Sequence, residues 1–326
     1  MTKNRNININ NLCSKLAEGN ITALSKSITL IESTNNDDKQ LAYKILNNLK
    51  TKKKSIRIGI TGVPGVGKST FIEVFGTYLS GMGKKLAVLT IDPSSSITKG
   101  SILGDKTRMS QLSINKNVFI RPTPSSSFQG GVGRNTKETI FLCEAAGYEI
   151  VIIETVGVGQ NEISVSEIVD FFLLLKISGT GDELQGMKRG IIEMSDLIAI
   201  NKCDGNNIEN SIKSKTEFQL ALKLFPPKKS KWIPRVLTCS SIKNEGIAEI
   251  WNCINDYIFL TKKNNYFFKN RLQQDKKWLL QIVDNSLRES FFKRKSLKSK
   301  LKKLIEELSK GKINVFDASE KILSEI

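Results

Sequence analysis

The chain has 326 residues, enough for one large domain with extensions or two modest ones, and its 39% apolar and 25% charged content is ordinary for a globular protein. It contains no histidine, which excludes histidine general acid–base catalysis and histidine metal ligation, and its five cysteines lack any C-x-x-C pair, which excludes a zinc ribbon and a disulfide framework. A net charge of +18 raises the question of a polyanionic partner. The basic residues are spread along a chain also rich in Asn and Ile, and only Lys293-Arg294-Lys295 with Lys298, Lys300, Lys302 and Lys303 forms a cluster. No aromatic platform interleaves these lysines, so the cluster reads as a solvated helix face, with no nucleic acid expected.

No run approaches the ~18 apolar residues of a membrane span. The start, MTKNRNININNLCSKL, lacks the apolar core of a secretion signal. With the cysteine usage, this predicts a cytoplasmic protein that does not engage membrane.

In chain order, residues 1–50 read as an N-terminal helical segment. Leu24, Ile28 and Ile31 share one helix face, as do Leu41, Ile45 and Leu49, with Asn35-Asn36-Asp37-Asp38 as the polar turn between them. From 51 to 258 the chain alternates apolar runs with helical lengths. Strands are expected at Ile56–Ile60, Leu86–Ile91, Val118–Ile120, Ile150–Ile153, Phe171–Leu175, Leu197–Ile200 and Arg235–Leu237. Near-continuous apolar strands separated by helices predict an α/β fold, a mostly parallel sheet flanked by helices on both faces. Residues 259–326 are Lys-rich and helical, with apolar stripes at Leu297, Leu301, Leu304, Ile305 and Leu308 and around Trp278-Leu279-Leu280 and Ile282-Val283.

The first strand runs into Gly62-Val63-Pro64-Gly65-Val66-Gly67-Lys68-Ser69, with Thr70 following, which fits G-x-x-x-x-G-K-[ST]. Strand, glycine loop and helix start make a phosphate cradle, because converging backbone N–H groups and a helix N-terminus both favour an anion. Lys68 is placed for the β- and γ-phosphates and Ser69 for Mg²⁺. Phe71, Val74, Phe75 and Leu79 then give the helix its apolar face. The second strand ends at Asp92, followed by Pro93-Ser94-Ser95-Ser96, where a carboxylate can hold the Mg²⁺ shell or cap a helix. Asp105 lies in the Gly/Ser-rich stretch beyond it and is a further candidate for the metal and for catalysis, with Lys68, Asp92 and Glu154.

The fourth strand closes on Glu154 and continues Thr155-Val156-Gly157-Val158-Gly159-Gln160, a [D/E]-x-x-G arrangement. Its carboxylate can order Mg²⁺, and the Gly157 N–H can sense the γ-phosphate. Position 158 is Val, not a water-orienting Gln, so slow intrinsic turnover is expected. The sixth strand closes on Asn201-Lys202-Cys203-Asp204. Asp204 can accept from both N1–H and the 2-amino group of guanine, donors that adenine lacks, which predicts GTP rather than ATP. Lys202 would lie along the base, and Ser240, Ser241 and Ile242 after the last strand would meet the guanine O6.

The strings IDPSSSITKGSILGDKTRM, ETVGVGQ, GDELQGMKRGIIEMSDL and NKCD resemble those of the MeaB/ArgK family of P-loop GTPases. The resemblance implies a homodimeric, Mg²⁺- and GTP-dependent chaperone that protects an adenosylcobalamin-dependent acyl-CoA mutase, typically methylmalonyl-CoA mutase, and gates its cofactor loading. It further implies three switch segments, Asp92–Met109, Glu154–Glu167 and Ile177–Lys188, which include Gly157, Gln160, Asp182 and Lys188, and a C-terminal helical dimer arm. Two other readings compete: a GTP- or ATP-dependent kinase of a transport-system binding protein, a label the same family has carried, and a module that binds polyanions through Lys293–Lys303. The absence of an acceptor-binding segment disfavours the first.

Overall fold

The computed structural model describes residues 8–50, 55–92, 109–124, 135–155, 161–179 and 189–324. The chain divides into two compact units, Met1–Phe267 and Phe268–Ile326.

The first unit opens with helices α1 (Ile9–Ala17), α2 (Ile21–Glu32) and α3 (Asn36–Asn48). Each starts on an asparagine whose side-chain oxygen accepts a backbone N–H of the first turn: Asn8, Asn20 and Asn35. The Asn35–Asp38 stretch is therefore a cap and the first turn of α3, not a separate connection. Its acids sit where the helix dipole favours negative charge. The faces at Leu24, Ile28 and Ile31 and at Ile45 are buried as the periodicity predicts. Helix α1 is an additional element, burying Leu12, Cys13 and Leu16.

Seven strands follow, interleaved with helices: β1 (Ile56–Thr61), α4 (Lys68–Gly81), β2 (Leu86–Asp92), α5 (Ser110–Ser113), β3 (Val118–Pro124), α6 (Thr136–Ala145), β4 (Ile150–Thr155), α7 (Asn161–Ser166), β5 (Phe171–Ile177), α8 (Arg189–Met194), β6 (Leu197–Asn201), α9 (Ile208–Leu222), β7 (Arg235–Thr238) and α10 (Ile247–Lys263). They form one sheet in the order β3-β2-β4-β1-β5-β6-β7, with every pairing parallel. All seven expected strands are present.

The continuous apolar runs exist because both faces of the sheet are covered. Ile58, Ile60, Val88, Ile152 and Leu173 pack under α4 and α10 with Phe71, Phe75 and Trp251. Phe75 meets Trp251 edge-on at 6.2 Å, and Tyr257 of α10 meets Phe171 at 5.1 Å. Ala87, Leu89, Val151, Ile153 and Phe172 pack against the N-terminal helices and α6. A smaller cluster of Leu174, Ile198, Ile200 and Val236 lies against Phe218 of α9.

The second unit contains most of α11 (Tyr266–Lys293) together with α12 (Lys295–Ser309) and α13 (Val315–Leu323). Leu297, Leu304 and Ile322 form its small core, with Phe291 and Leu301 at the margin. Ile305 is 56% exposed and so does not belong to the buried stripe, and Leu279 and Leu280 also face outward in this chain. Among the described residues, no helix is long and apolar enough to cross a membrane.

Candidate nucleotide-binding site

The parallel sheet brings the motif residues to one edge, the carboxyl ends of its strands. β1 is central, and the loop after it must turn tightly between β5 and α4. A Cβ on Gly62 would lie 2.5 Å from the carbonyl oxygen of Leu175, so no side chain fits there. Gly67 caps α4 at φ +89°, a backbone region that favours glycine, and a Cβ there would meet Asn201 Nδ2 at 2.9 Å. Between them Val66 is buried, Val63 is half-buried, and Pro64 and Gly65 are exposed, as is Thr70 one turn into the helix region. The loop thus hangs on one buried side chain, with its tip at Pro64 and Gly65 exposed.

Lys68 opens α4 and is largely buried, and its ammonium donates to the carbonyl oxygens of Gly62 at 2.7 Å and Val63 at 3.2 Å. The charge is held across the mouth of the loop, where a phosphate chain would lie. Ser69 Oγ donates to Glu154 Oε1 at 3.3 Å. No strand intervenes between the loop strand and the Glu154 strand, and Ile60 stands directly opposite Glu154 in the β1–β4 register. Thr155 Oγ1 donates to Thr61 Oγ1 at 2.8 Å, which ties the two strand ends together. A hydroxyl touching a mostly buried carboxylate is an oxygen-only donor set, which suits Mg²⁺ completed by substrate phosphates. Among the described residues, no three His, Cys, Asp or Glu side chains gather into a metal-holding group.

The backbone of Asp92 ends β2 on the same edge, opposite Pro124 and one strand beyond β4. Asp105, Gly157, Gln160, Asp182 and Lys188 lie outside the described residues, as does Val158.

A second group forms where β6 and β7 end. Asn201 is almost fully buried; its Nδ2 donates to the Val66 carbonyl at 2.9 Å. Its Oδ1 accepts the Ser241 N–H at 3.2 Å and the Ser241 hydroxyl at 2.9 Å. One amide therefore ties the glycine loop to the β7 loop. The Ser240 hydroxyl donates to the Asp204 carboxylate and accepts the Lys243 N–H at 3.1 Å. Ile242 stands 74% exposed between them. The Cys203 N–H donates to the Cys239 carbonyl at 3.0 Å. Burial pushes the Cys239 thiol up to about 12, with Cys203 nearby adding to the effect.

Lys202 adopts φ +58°, uncommon for a residue with a side chain. Its carbonyl accepts from Asn207 Nδ2 at 2.9 Å, and Asn207 Oδ1 accepts from the Ser178 hydroxyl at 2.8 Å. No motif marks Ser178 or Asn207. The only sequence signal is an asparagine placed as a helix N-cap, which misleads, because that side chain makes no cap bond.

A strand, glycine loop and helix joined through Ser69 to the neighbouring strand's carboxylate, on a parallel sheet of this order, is the architecture of a P-loop nucleoside triphosphatase. The family model described as "Methylmalonyl Co-A mutase-associated GTPase MeaB" matches residues 24–296, and the chain belongs to that family. It is 39% identical to "Probable GTPase Rv1496" of Mycobacterium tuberculosis over 97% of this chain and 94% of the relative. It is 43% identical to "GTPase ArgK" of Escherichia coli over 85% of this chain and 84% of the relative. The mouse protein "Methylmalonic aciduria type A homolog, mitochondrial" is 39% identical over 97% of this chain and 79% of its own length. A crystal structure titled "LAO/AO transport system kinase" superposes with a TM-score of 0.74 at 31% identity, covering 99% of both chains. The chain is a P-loop GTPase.

Proposed function

We propose that the protein is a slow, partner-stimulated GTPase switch that protects an adenosylcobalamin-dependent acyl-CoA mutase, methylmalonyl-CoA mutase, and gates its cofactor loading. The observation that carries the reading is the joining of two half-sites by Asn201: the Lys68–Ser69–Glu154 group and the Asp204–Ser240 group meet at one strand edge. The family's printed description, which names association with that mutase, supports the choice of client.

In this reading the backbone of residues 62–70 cradles the phosphates and Lys68 swings from the loop carbonyls onto the β/γ-phosphates. Ser69 and Glu154, with Asp92 and Asp105, would hold Mg²⁺, which would neutralise charge developing on the phosphate oxygens. Asp204, oriented by the Ser240 hydroxyl, accepts from N1–H and the 2-amino group of guanine, and Lys202 lies along the base. Within the 240–242 loop it is the Ile242 N–H that meets O6, because the Ser240 and Ser241 N–H groups are donated to Glu245 and Asn201. Gly157, Gln160, Asp182 and Lys188 report the γ-phosphate to the client, and two copies associate through the C-terminal helices.

The test is GTP turnover by purified protein with and without the mutase, alongside co-elution of the two. Stimulated turnover and a nucleotide-dependent complex are expected; turnover indifferent to the mutase, with no complex in any nucleotide state, removes the client. The likeness to a solved structure described as a transport system kinase supports a second reading, a kinase. Transfer of labelled γ-phosphate from GTP or ATP to a binding protein would establish it, and release of all label as phosphate would exclude it.

A further inference from the structure

Asn207 ends the short turn Gly205–Asn207 and stands as the N-cap of α9. Asparagine is among the residues most favoured at that position because its oxygen takes a free helix N–H. Here it takes none. Instead its amide is spent in the other direction: Oδ1 accepts from Ser178 Oγ at 2.8 Å and Nδ2 donates to the Lys202 carbonyl at 2.9 Å. Ser178, at the end of β5, is largely buried and also shares a hydrogen bond with the fully buried Ser211 at 3.2 Å. The side chain therefore serves Ser178 and the Lys202 carbonyl rather than the helix.

That carbonyl belongs to a residue held in the left-handed region. A left-handed conformation is strained for a side-chain-bearing residue and persists only where neighbours enforce it. Lys202 at φ +58° makes the chain step out of β6, so that Cys203, not Lys202, donates to Cys239. The step sets where Asp204 emerges. Asp204 is then fixed at its carboxylate by Ser240 and at its carbonyl by the Asn207 N–H, 3.0 Å away. Asn207 touches the loop on both sides of Cys203.

We infer that Asn207, supported by Ser178, is a positioning residue for guanine specificity: it holds the Lys202–Asp204 loop in the left-handed step that aims the Asp204 carboxylate at the base edge. The inference rests on the assignment of Asp204 as the guanine reader. Ser178 bonds to Asn207 and Asn207 to the Lys202 carbonyl, so both act through Lys202.

The experiment measures GDP, IDP and XDP affinities with Mg²⁺ by competition against a fluorescent GDP. Wild type, Asp204→Asn, Asn207→Ala, Asn207→Asp, Ser178→Ala and Ser178→Thr are compared. IDP lacks the 2-amino group, so the GDP-to-IDP ratio reads the aim of Asp204. Loss of one hydrogen bond's net contribution predicts a roughly fivefold fall in that ratio for Asn207→Ala. Asn207→Asp should fall at least as far, because it keeps the acceptor for Ser178 but loses the donor to Lys202. Ser178→Ala should fall less, and Ser178→Thr, which retains the hydroxyl, should restore the ratio. Equal losses of GDP and IDP affinity in both Asn207 variants would mean a merely structural role and overturn the inference, as would an unchanged ratio. If Asn207→Ala does not fold, the Ser178 pair decides alone. Failure of the underlying assignment looks different: Asp204→Asn would then bind XDP no better than wild type does.

Discussion

Asn201→Ala tests whether the two halves of the site are joined as the geometry indicates. The wild-type side chain is 1% exposed, and its amide serves the Val66 carbonyl at 2.9 Å and the Ser241 N–H at 3.2 Å. Truncation leaves both backbone groups without this partner in a water-poor place, at about 1–3 kcal/mol each. Ser241 Oγ can rotate to another acceptor, so it adds little. The expected loss is about 2–6 kcal/mol, large against a typical total stability of roughly 5–15 kcal/mol. Asn201→Asp keeps the volume and the acceptor for Ser241, but it loses the donor to Val66 and buries a carboxylate against that carbonyl, so a loss at least as large is expected. Urea unfolding followed by tryptophan fluorescence gives the stabilities, and GDP titration gives the linked affinity, which should fall in the same order. A loss below ~0.5 kcal/mol for the alanine variant, with unchanged GDP affinity, refutes the argument that this amide couples the loops.

Lys68→Ala should abolish GTP hydrolysis, read as phosphate release; wild-type turnover would remove Lys68 from the site. Asp204→Asn should weaken the preference for GTP over XTP, and unchanged selectivity in a competition assay would contradict base reading by this carboxylate. Gly62→Ala should abolish nucleotide binding with the protein still folded, because its Cβ would sit 2.5 Å from the backbone oxygen of Leu175 and the loop must move to make room. The Cys239 thiol is raised from 9.0 to about 12 by burial, so the folded protein holds a proton that the unfolded chain releases. Its contribution is complete below pH 9 and is lost as pH rises from 9 to about 12, by about 4 kcal/mol at most. The difference in stability between wild type and Cys239→Ala should therefore shrink across that window, and a flat difference would show that the thiol titrates normally.

The sheet is legible in the sequence because strands buried on both faces have no polar positions to disguise them; Phe171–Leu175 and Ile150–Ile153 are uninterrupted. The glycine loop is legible because its backbone geometry tolerates few residues at Gly62 and Gly67. What escapes is set by partners distant along the chain. Asn35–Asp38 reads as a turn because Asn and Asp favour turns and helix starts alike, and only the Asn35 bond to the Asp37 N–H distinguishes them. Ile305 fits the helical period of Leu301 and Leu308, but α13 covers the Leu297–Leu304 side, leaving Ile305 outside. Asn207 escapes for a similar reason. Its local context says cap, whereas its bonds go to Ser178 and Lys202, and nothing in the neighbouring residues signals that choice.

The same contrast orders the proposed nucleotide site. The phosphate cradle leans mostly on local sequence, with Ser69 to Glu154 as its long-range bond: Lys68 bonds to Gly62 and Val63 a few residues away, and Gly67 caps its own helix. The base half is built from residues far apart, with Asn201 reaching Val66 and Ser241, Ser240 reaching Asp204, and Asn207 reaching Ser178. A local cradle keeps its shape whenever its strand and helix do, so phosphate binding should survive most changes elsewhere in the fold. The base half depends on β5, β6 and β7 remaining in register, because its donors and acceptors come from the ends of all three. Perturbations on that side of the sheet should therefore erode guanine discrimination before they erode phosphate affinity. Asn201 is the exception, since its single amide belongs to both halves and its loss should weaken the two together.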